Sequence, residues 1–419
     1  MCHKVIMLIR GISMKKSGLN TNQTKSSNRS MTLQLLFSHG ILSRTDIANH
    51  LNITTAAVTM IVNEFLNEGL LVQKEDYFPE SQPRAGRRRA PLTVNYGWKY
   101  ILAIDIHSYY INIALTNLKG DILVECPSLT PTGSDPRTLC SNIAKECIKM
   151  LWESSISTEK ILGAGITIIG PVNQDEGIAL HPFRLFEHPV PVKQYFEEEF
   201  SFPASVESNV CGFLLSELLY TDITTRAQNI LMLKWGPGVG SAMAIRGQVY
   251  KGYNYQSTEI GHNQITEKNG QKCNCGRIGC LEPSISADAI VDFIKKNTVS
   301  CPDGELAELK KTIGSPSRGN LSQYLDTAGD TCILWDFLTT CAHALAGVTN
   351  NAIHILAPDK LVLMGDLFEH DSIVKLFSEQ LYLINPMLPS DLCIKHQPFS
   401  NKKYIGPTAI AVSQLLLPL

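Results

Sequence analysis

The chain has 419 residues, of which 44% are hydrophobic and 18% charged, and a net charge of −2. That length exceeds one ordinary core and predicts two or three domains, and the composition is that of a soluble globular protein. The longest apolar run near the N-terminus, Val5 to Ile9, is too short for a transmembrane helix or a signal-peptide core, so membrane insertion is not expected.

Twelve cysteines without regular pairing predict a reducing compartment, and hence a cytoplasmic protein. The small net charge hides an asymmetry. Residues 1–91 hold 12 Lys and Arg against 6 Asp and Glu, which leaves 25 against 33 in the remainder. A basic N-terminal part on an acidic body predicts a nucleic-acid-binding module attached to something else.

Residues 1–28 are rich in Ser, Asn, Thr and Lys, lack hydrophobic periodicity and are expected to form a disordered leader, with Met14 as an alternative start. A DNA-binding domain is expected over 29–80. Leu33, Leu35, Leu36 and Phe37 predict a short helix that Gly40 ends. Ser43 then precedes Arg-Thr-Asp, a pattern close to a capping box, with Ile47, Ala48 and Leu51 facing inward.

Thr54 is the expected N-cap of a further helix. In it Val58, Ile61, Val62, Phe65 and Leu66 recur at helical spacing, and Gly69 ends it. Two short helices joined by a few residues form a helix-turn-helix. Its second helix would present Thr54, Thr55, Ala56, Thr59 and Asn63 to phosphates and base edges in a major groove, with Arg44 on the helix before it. The segment after Gly69 reads as a β-hairpin wing, and residues 81–97 as a basic linker. There Arg87, Arg88 and Arg89 would follow a phosphate backbone or enter a narrow minor groove of double-stranded DNA.

From Lys99 the pattern changes to alternating buried strands and helices, an α/β body. Within it, Glu259 to Glu282 carries the densest chemistry. His262, Cys273, Cys275 and Cys280 make a complete Cys₃His set for tetrahedral Zn²⁺, with Gly276 and Gly279 letting the chain turn between ligands. No ligand position stays open, so the zinc is expected to be structural.

This stretch resembles the signature of the ROK family (repressors, open reading frames, kinases), which reads E-x-G-H and then C-x-C-G-x-x-G-C-L-E. One residue more than is common separates His262 from Cys273, which lengthens a loop. The basic linker, ending Gly-Arg-Arg-Arg-Ala-Pro-Leu, is similar to that of ROK repressors. The resemblance covers residue 28 to the C-terminus. It implies a winged helix-turn-helix followed by a two-lobed ribonuclease-H/actin-like body of the ROK sugar-kinase type. Lobe 1 would span 98–217, completed by a C-terminal helix at 405–419, and lobe 2 would span 218–404.

The resemblance also implies sugar contacts from Glu259, His262 and Glu282. Where ROK kinases carry a D-I-G-G-T phosphate loop, this chain reads Asp105-Ile106-His107-Ser108-Tyr109. Where they carry an Asn-Asp pair, it reads Ser208-Asn209. An amide is no general base near neutral pH but can hydrogen-bond a sugar hydroxyl. Phosphoryl transfer is therefore not expected, and no catalytic residue is assigned. Ser208 and Asn209 either altered the ligand or abolished its binding.

The expected function is a transcriptional regulator, a repressor of carbohydrate genes, assembled as a homodimer or homotetramer on paired half-sites and modulated by a sugar effector. Two other readings stand beside it. One is a working sugar kinase fused to a DNA-binding module. The other is a regulator answering a protein partner from a sugar transport system.

Overall fold

The computed structural model describes residues 21–74, 91–131, 135–221, 228–266, 270–329, 332–389, 392–396 and 403–417. Arg87, Arg88 and Arg89 lie outside the described residues.

The N-terminal unit holds α1 (Thr21–His39), α2 (Arg44–Leu51) and α3 (Thr55–Asn67). A small sheet follows, in which β1 (Leu71–Gln73) pairs antiparallel with β2 (Leu92–Val94). Ser43 caps α2: its hydroxyl accepts from the Asp46 N–H at 3.2 Å, while Asp46 Oδ2 accepts from the Ser43 N–H at 3.1 Å. Asn52 then turns the chain in a left-handed conformation, and the Thr54 hydroxyl caps α3 by accepting from the Ala57 N–H. Leu36, Ile47, Val58, Val62 and Phe65 close the core between the helices.

The first helix begins at Thr21, earlier than a leader extending to residue 28 allows. No apolar stripe marks its opening turns, because α3 holds them through charge. Lys25 pairs with Glu64 at 2.7 Å. Arg29 pairs with Glu64 and with Glu68, the latter at 3.1 Å, and its guanidinium lies over the Phe65 ring.

The body holds two five-stranded sheets with one topology. The first contains β3 (Tyr100–Ile106), β4 (Ile111–Asn117), β5 (Ile122–Glu125), β6 (Ile161–Ile168) and β9 (Ala204–Ser208), ordered β5-β4-β3-β6-β9. A short hairpin, β7 (Val172–Asn173) with β8 (Ile178–Ala179), sits between β6 and β9 in sequence. The second sheet contains β10 (Ile230–Trp235), β11 (Val239–Ile245), β12 (Gln248–Val249), β13 (Lys360–Met364) and β14 (Cys393–His396), ordered β12-β11-β10-β13-β14. In each, the first three strands run antiparallel and the last two join in parallel. This repeated ribonuclease-H-like order makes an actin-like body.

Helices α4 (Pro136–Glu153) and α5 (Val192–Glu197) cover the outer face of the first sheet. The outer face of the second is covered by α7 (Glu282–Ile285), α8 (Ala287–Ser300), α9 (Glu305–Ile313), α10 (Leu321–Thr327), α11 (Ile333–Leu356) and α12 (Asp371–Ile384). Two helices lie between the sheets. α13 (Ile405–Ala411) packs on β3 and β6, and α6 (Asn209–Tyr220) packs on α13 and on β10 and β11. A predominantly apolar sequence lets α6 be buried on nearly every side. Its C-terminal end also meets the N-terminal unit: Leu219 shares a core with Leu36 and Phe37, and the Phe37 and Tyr220 rings meet edge-on at 6.0 Å.

Candidate functional site

Parallel strands of both sheets end at one crevice between the lobes, the usual place for a ligand in such folds. Asp105, near the end of β3, is fully buried and accepts from the Thr167 hydroxyl at 2.6 Å. Burial works to raise its carboxyl pKa, but His107, Thr167 and Lys234 outweigh that and hold it below the usual range. His107 Nε2 lies 3.3 Å from Asp105 Oδ2 and 3.2 Å from Asn209 Nδ2.

Asn209 opens α6 and is buried in the cleft wall. Ser208 is the N-cap of that helix, its hydroxyl accepting from the Cys211 N–H at 3.3 Å. Both residues line one cavity with His107, Lys234, Glu259, His262 and Glu282. The sequence-assigned sugar residues thus converge, although they span more than 70 positions. Glu282 Oε2 accepts from the Val239 N–H at 3.0 Å. Burial, then the neighbouring Glu282 carboxylate, pushes Glu259 up to about 7. Glu282 is raised as well, chiefly by burial.

Charged and aromatic side chains crowd one wall of this cavity. The Tyr109 hydroxyl accepts from Arg184 Nη1 at 2.5 Å and donates to Asp288 Oδ2 at 3.3 Å. Asp288 also pairs with Arg184 at 2.7 Å and Arg318 at 3.1 Å, and the Arg318 guanidinium stacks on the Tyr109 ring. Tyr109 and Arg184 belong to lobe 1, Asp288 and Arg318 to lobe 2, so the network clasps the lobes together. Asp288→Ala is expected to loosen this clasp and raise protease sensitivity between the lobes. Unchanged proteolysis at either lobe boundary would deny the clasp its role.

The zinc expectation meets a fitting donor set. One ligand atom from each of His262, Cys273, Cys275 and Cys280 lies within 4.8 Å of all the others, and the cysteines are free thiols. The Cys275 and Cys280 sulfurs are 3.7 Å apart, and Cys273 Sγ is 3.4 Å from His262 Nδ1. With Zn–S near 2.3 Å and Zn–N near 2.0 Å, tetrahedral edges run from about 3.5 to about 3.8 Å. Burial and Arg277 lower the His262 pKa, favouring the neutral imidazole that a metal needs. Gly279 cannot be replaced here: φ is +82°, and a Cβ would fall 1.9 Å from the Thr266 carbonyl oxygen. His262 Nε2 faces Glu259 at 3.7 Å, so one imidazole joins the Cys cluster to the cleft.

In the N-terminal unit, Thr54, Thr55, Ala56 and Asn63 are exposed and Thr59 half-buried along α3. Their polar groups are partly committed. Thr54 caps the helix, the Thr59 hydroxyl donates to the Thr55 carbonyl at 2.7 Å, and Arg44 reaches Asn63 at 3.3 Å.

A profile of the ROK family matches residues 101–404. The chain belongs to the ROK family. It is 27% identical over 277 residues to the xylose repressor of Caldicellulosiruptor bescii, covering 66% of this chain and 68% of that protein. It is 26% identical over 267 residues to a glucokinase of Halalkalibacterium halodurans, covering 64% and 80%. Its fold is shared with the crystal structure of a ROK family transcriptional regulator homologous to E. coli Mlc. That match has a TM-score of 0.73 at 20% identity, covering 94% of this chain and 96% of the other.

Sequence reasoning missed Phe183, Arg184, Asp288 and Arg318 at the cleft, and Met60, which is 62% exposed on α3. Only the clustering of Met60 with the predicted DNA-facing residues could have drawn notice. Phe183 and Arg184 sit in a loop that carries no motif, and Asp288, in the first turn of α8, and Arg318, at the start of a short 3-10 turn, are single charged residues without a pattern.

Proposed function

We propose that this ROK protein is a sequence-specific DNA-binding repressor of carbohydrate metabolism or uptake genes, whose DNA affinity is modulated by a sugar in a cleft that no longer transfers phosphate. The observation that carries this reading is α6. Its first residues, Asn209 and Val210, line the cleft, and its last, Leu219 and Tyr220, pack on α1, which shares a core with the helices proposed to meet DNA. Twelve helical residues span about 18 Å. A small shift at one end is therefore delivered to the other as a rigid movement.

The N-terminal unit is read as a winged helix-turn-helix. α3 is its recognition helix, offering Thr54, Thr55, Ala56, Thr59 and Asn63 to the major groove, and Arg44 supports it from α2. The paired β1 and β2 form the base of the wing. Arg87, Arg88 and Arg89 would neutralise phosphates. Replacing the three by Ala should flatten the plot of log affinity against log salt by about 0.9 for each arginine that meets a phosphate. An unaltered slope would remove them from the interface.

In the cleft, Glu259 and Glu282 would accept from neighbouring sugar hydroxyls, with His262 beside them and Ser208 and Asn209 at the opposite wall. Zinc bound by His262, Cys273, Cys275 and Cys280 would be structural, holding the loop that carries Glu259. Two copies on two half-sites would give a symmetric homo-oligomer on operator DNA. The sugar changes DNA affinity only as far as it prefers one lobe arrangement over the other.

The alternative of a working kinase requires ATP turnover without the phosphate-loop glycines and with Asn209 in place of a general base. A coupled assay with hexoses checks this, and no turnover is expected. Leu219→Ala should shrink the sugar-induced change in DNA affinity toward unity, because it loosens the contact between α6 and α1. An undiminished response in a variant of unaltered fold would rule out α6 as the route.

A further inference from the structure

The cleft does not end at Glu259 and His262. On its zinc-loop side it opens into a groove of about 740 Å³ whose walls include His181, Phe183, Phe186, Gln256, Asn274 and Arg277. The inner cleft encloses only about 90 Å³. Sites for small organic ligands hold roughly 300–1,000 Å³, so the groove has the size of a ligand site and the inner cleft alone does not. Phe183, Arg184, Glu259 and His262 border both, so one ligand can run through.

The groove has the chemistry of a second sugar subsite. His181 and Phe183 stack at 6.2 Å with their planes 20° apart, and Phe183 meets the His262 ring edge-on at 5.1 Å. A pyranose offers a flat C–H face to such rings, while its hydroxyls point outward to the side chains of Gln256, Asn274 and Arg277. The backbone around this wall is constrained. Arg184, Tyr255 and Thr258 hold φ of 62°, 58° and 61°, which is costly for non-glycine residues and most so for β-branched Thr258. Gly170 supports the His181 turn from beneath: at φ +89°, a Cβ would fall 2.0 Å from the His181 carbonyl oxygen.

We propose that the effector is a disaccharide or longer glycoside, with one ring in the cleft and the next in the groove on His181 and Phe183. This rests on the sugar-cleft reading above and narrows its ligand class. A monosaccharide would leave the larger part of the continuous space empty.

The test is calorimetric titration of the full-length, zinc-loaded protein. The probes are glucose, xylose and N-acetylglucosamine, set beside cellobiose, maltose, xylobiose and N,N′-diacetylchitobiose. At least one disaccharide should bind about tenfold or more tightly than its constituent monosaccharide, as one added ring contact allows. His181→Ala and Gln256→Ala, both at exposed positions, should bring that ratio close to one without lowering the melting temperature. Binding of monosaccharides with no gain from a second ring would overturn the subsite and leave the cleft reading intact. A gain that survives both substitutions would overturn the placement in this groove. Binding of no sugar at all would overturn the cleft reading and the subsite with it.

Discussion

Cys275→Ala should abolish the zinc binding proposed for the Cys₃His cluster and lower stability by several kcal/mol. The reason lies in what holds residues 259–282 in place. Among the described residues, the regular structure between Glu259 and the start of α7 amounts to a single-turn helix and two isolated bridges, Gln264 with Cys280 and Lys272 with Ile278. Lys272, Asn274, Gly276, Arg277 and Ile278 are exposed, so few apolar contacts hold the loop, and ion binding would contribute its folding free energy directly.

The effect reaches the cleft. With the ion gone, the His262 ring loses its anchor at Nδ1, and Glu259 loses the fixed neighbour that its carboxylate faces at 3.7 Å. Sugar affinity should therefore fall together with zinc content. Metal analysis and thermal melting of the purified variant check both. A variant that kept one zinc per chain and melted normally would sink the ligand assignment.

Glu217→Ala should be comparably damaging for a different reason. Glu217 projects from α6 with its side chain only 2% exposed, and it accepts from Lys360 on β13 at 2.5 Å and from Lys395 on β14 at 2.9 Å. Removing one partner of a buried ion pair typically costs about 3–5 kcal/mol, because the remaining charges stay buried without compensation. Here two ammonium groups would be left, one of them on a side chain 8% exposed.

The pH dependence has a definite sign. Burial works to raise the Glu217 pKa, but the hydrogen bonds and charges of Lys360 and Lys395 outweigh it, so the folded value lies below the ordinary 4.5. A carboxylate depressed in the folded state contributes stability that is fully present above the unfolded pKa. That contribution is lost as pH falls through the folded value. The wild-type protein should therefore destabilise on acidification below about pH 4.5, and Glu217→Gln should show a shallower dependence there. Parallel unfolding curves for the two at every pH would refute the assignment. The same pair ties α6 to the second sheet, so the loss should also blunt any sugar response.

Much of the site was legible because its residues lie in short, patterned stretches. The spacing from His262 to Cys280 announces a four-donor cluster, and the structure places those donor atoms within 4.8 Å of one another. The caps at Ser43 and Thr54 were equally plain, because a side chain meeting a backbone N–H two or three residues on is a local event.

What escaped depends on residues far apart in sequence. Tyr109, Arg184, Asp288 and Arg318 meet only after two sheets and a dozen intervening elements are folded. The early start of α1 escaped for a related reason: its opening turns are held by Glu64 and Glu68, nearly forty residues downstream, and not by an apolar stripe of their own. The placement of α6, with one end in the cleft and the other against α1, follows from tertiary packing that no local pattern encodes.

In the function proposed, one molecule couples a sugar in its cleft to DNA at its N-terminal unit. The most direct test measures DNA affinity of the purified protein for fragments flanking its own gene. It should be run at two salt concentrations, with and without mono- and disaccharides. Specific binding that weakens with salt, and that one sugar weakens further, is expected. Specific binding indifferent to every sugar, at both salt concentrations, would contradict the coupling.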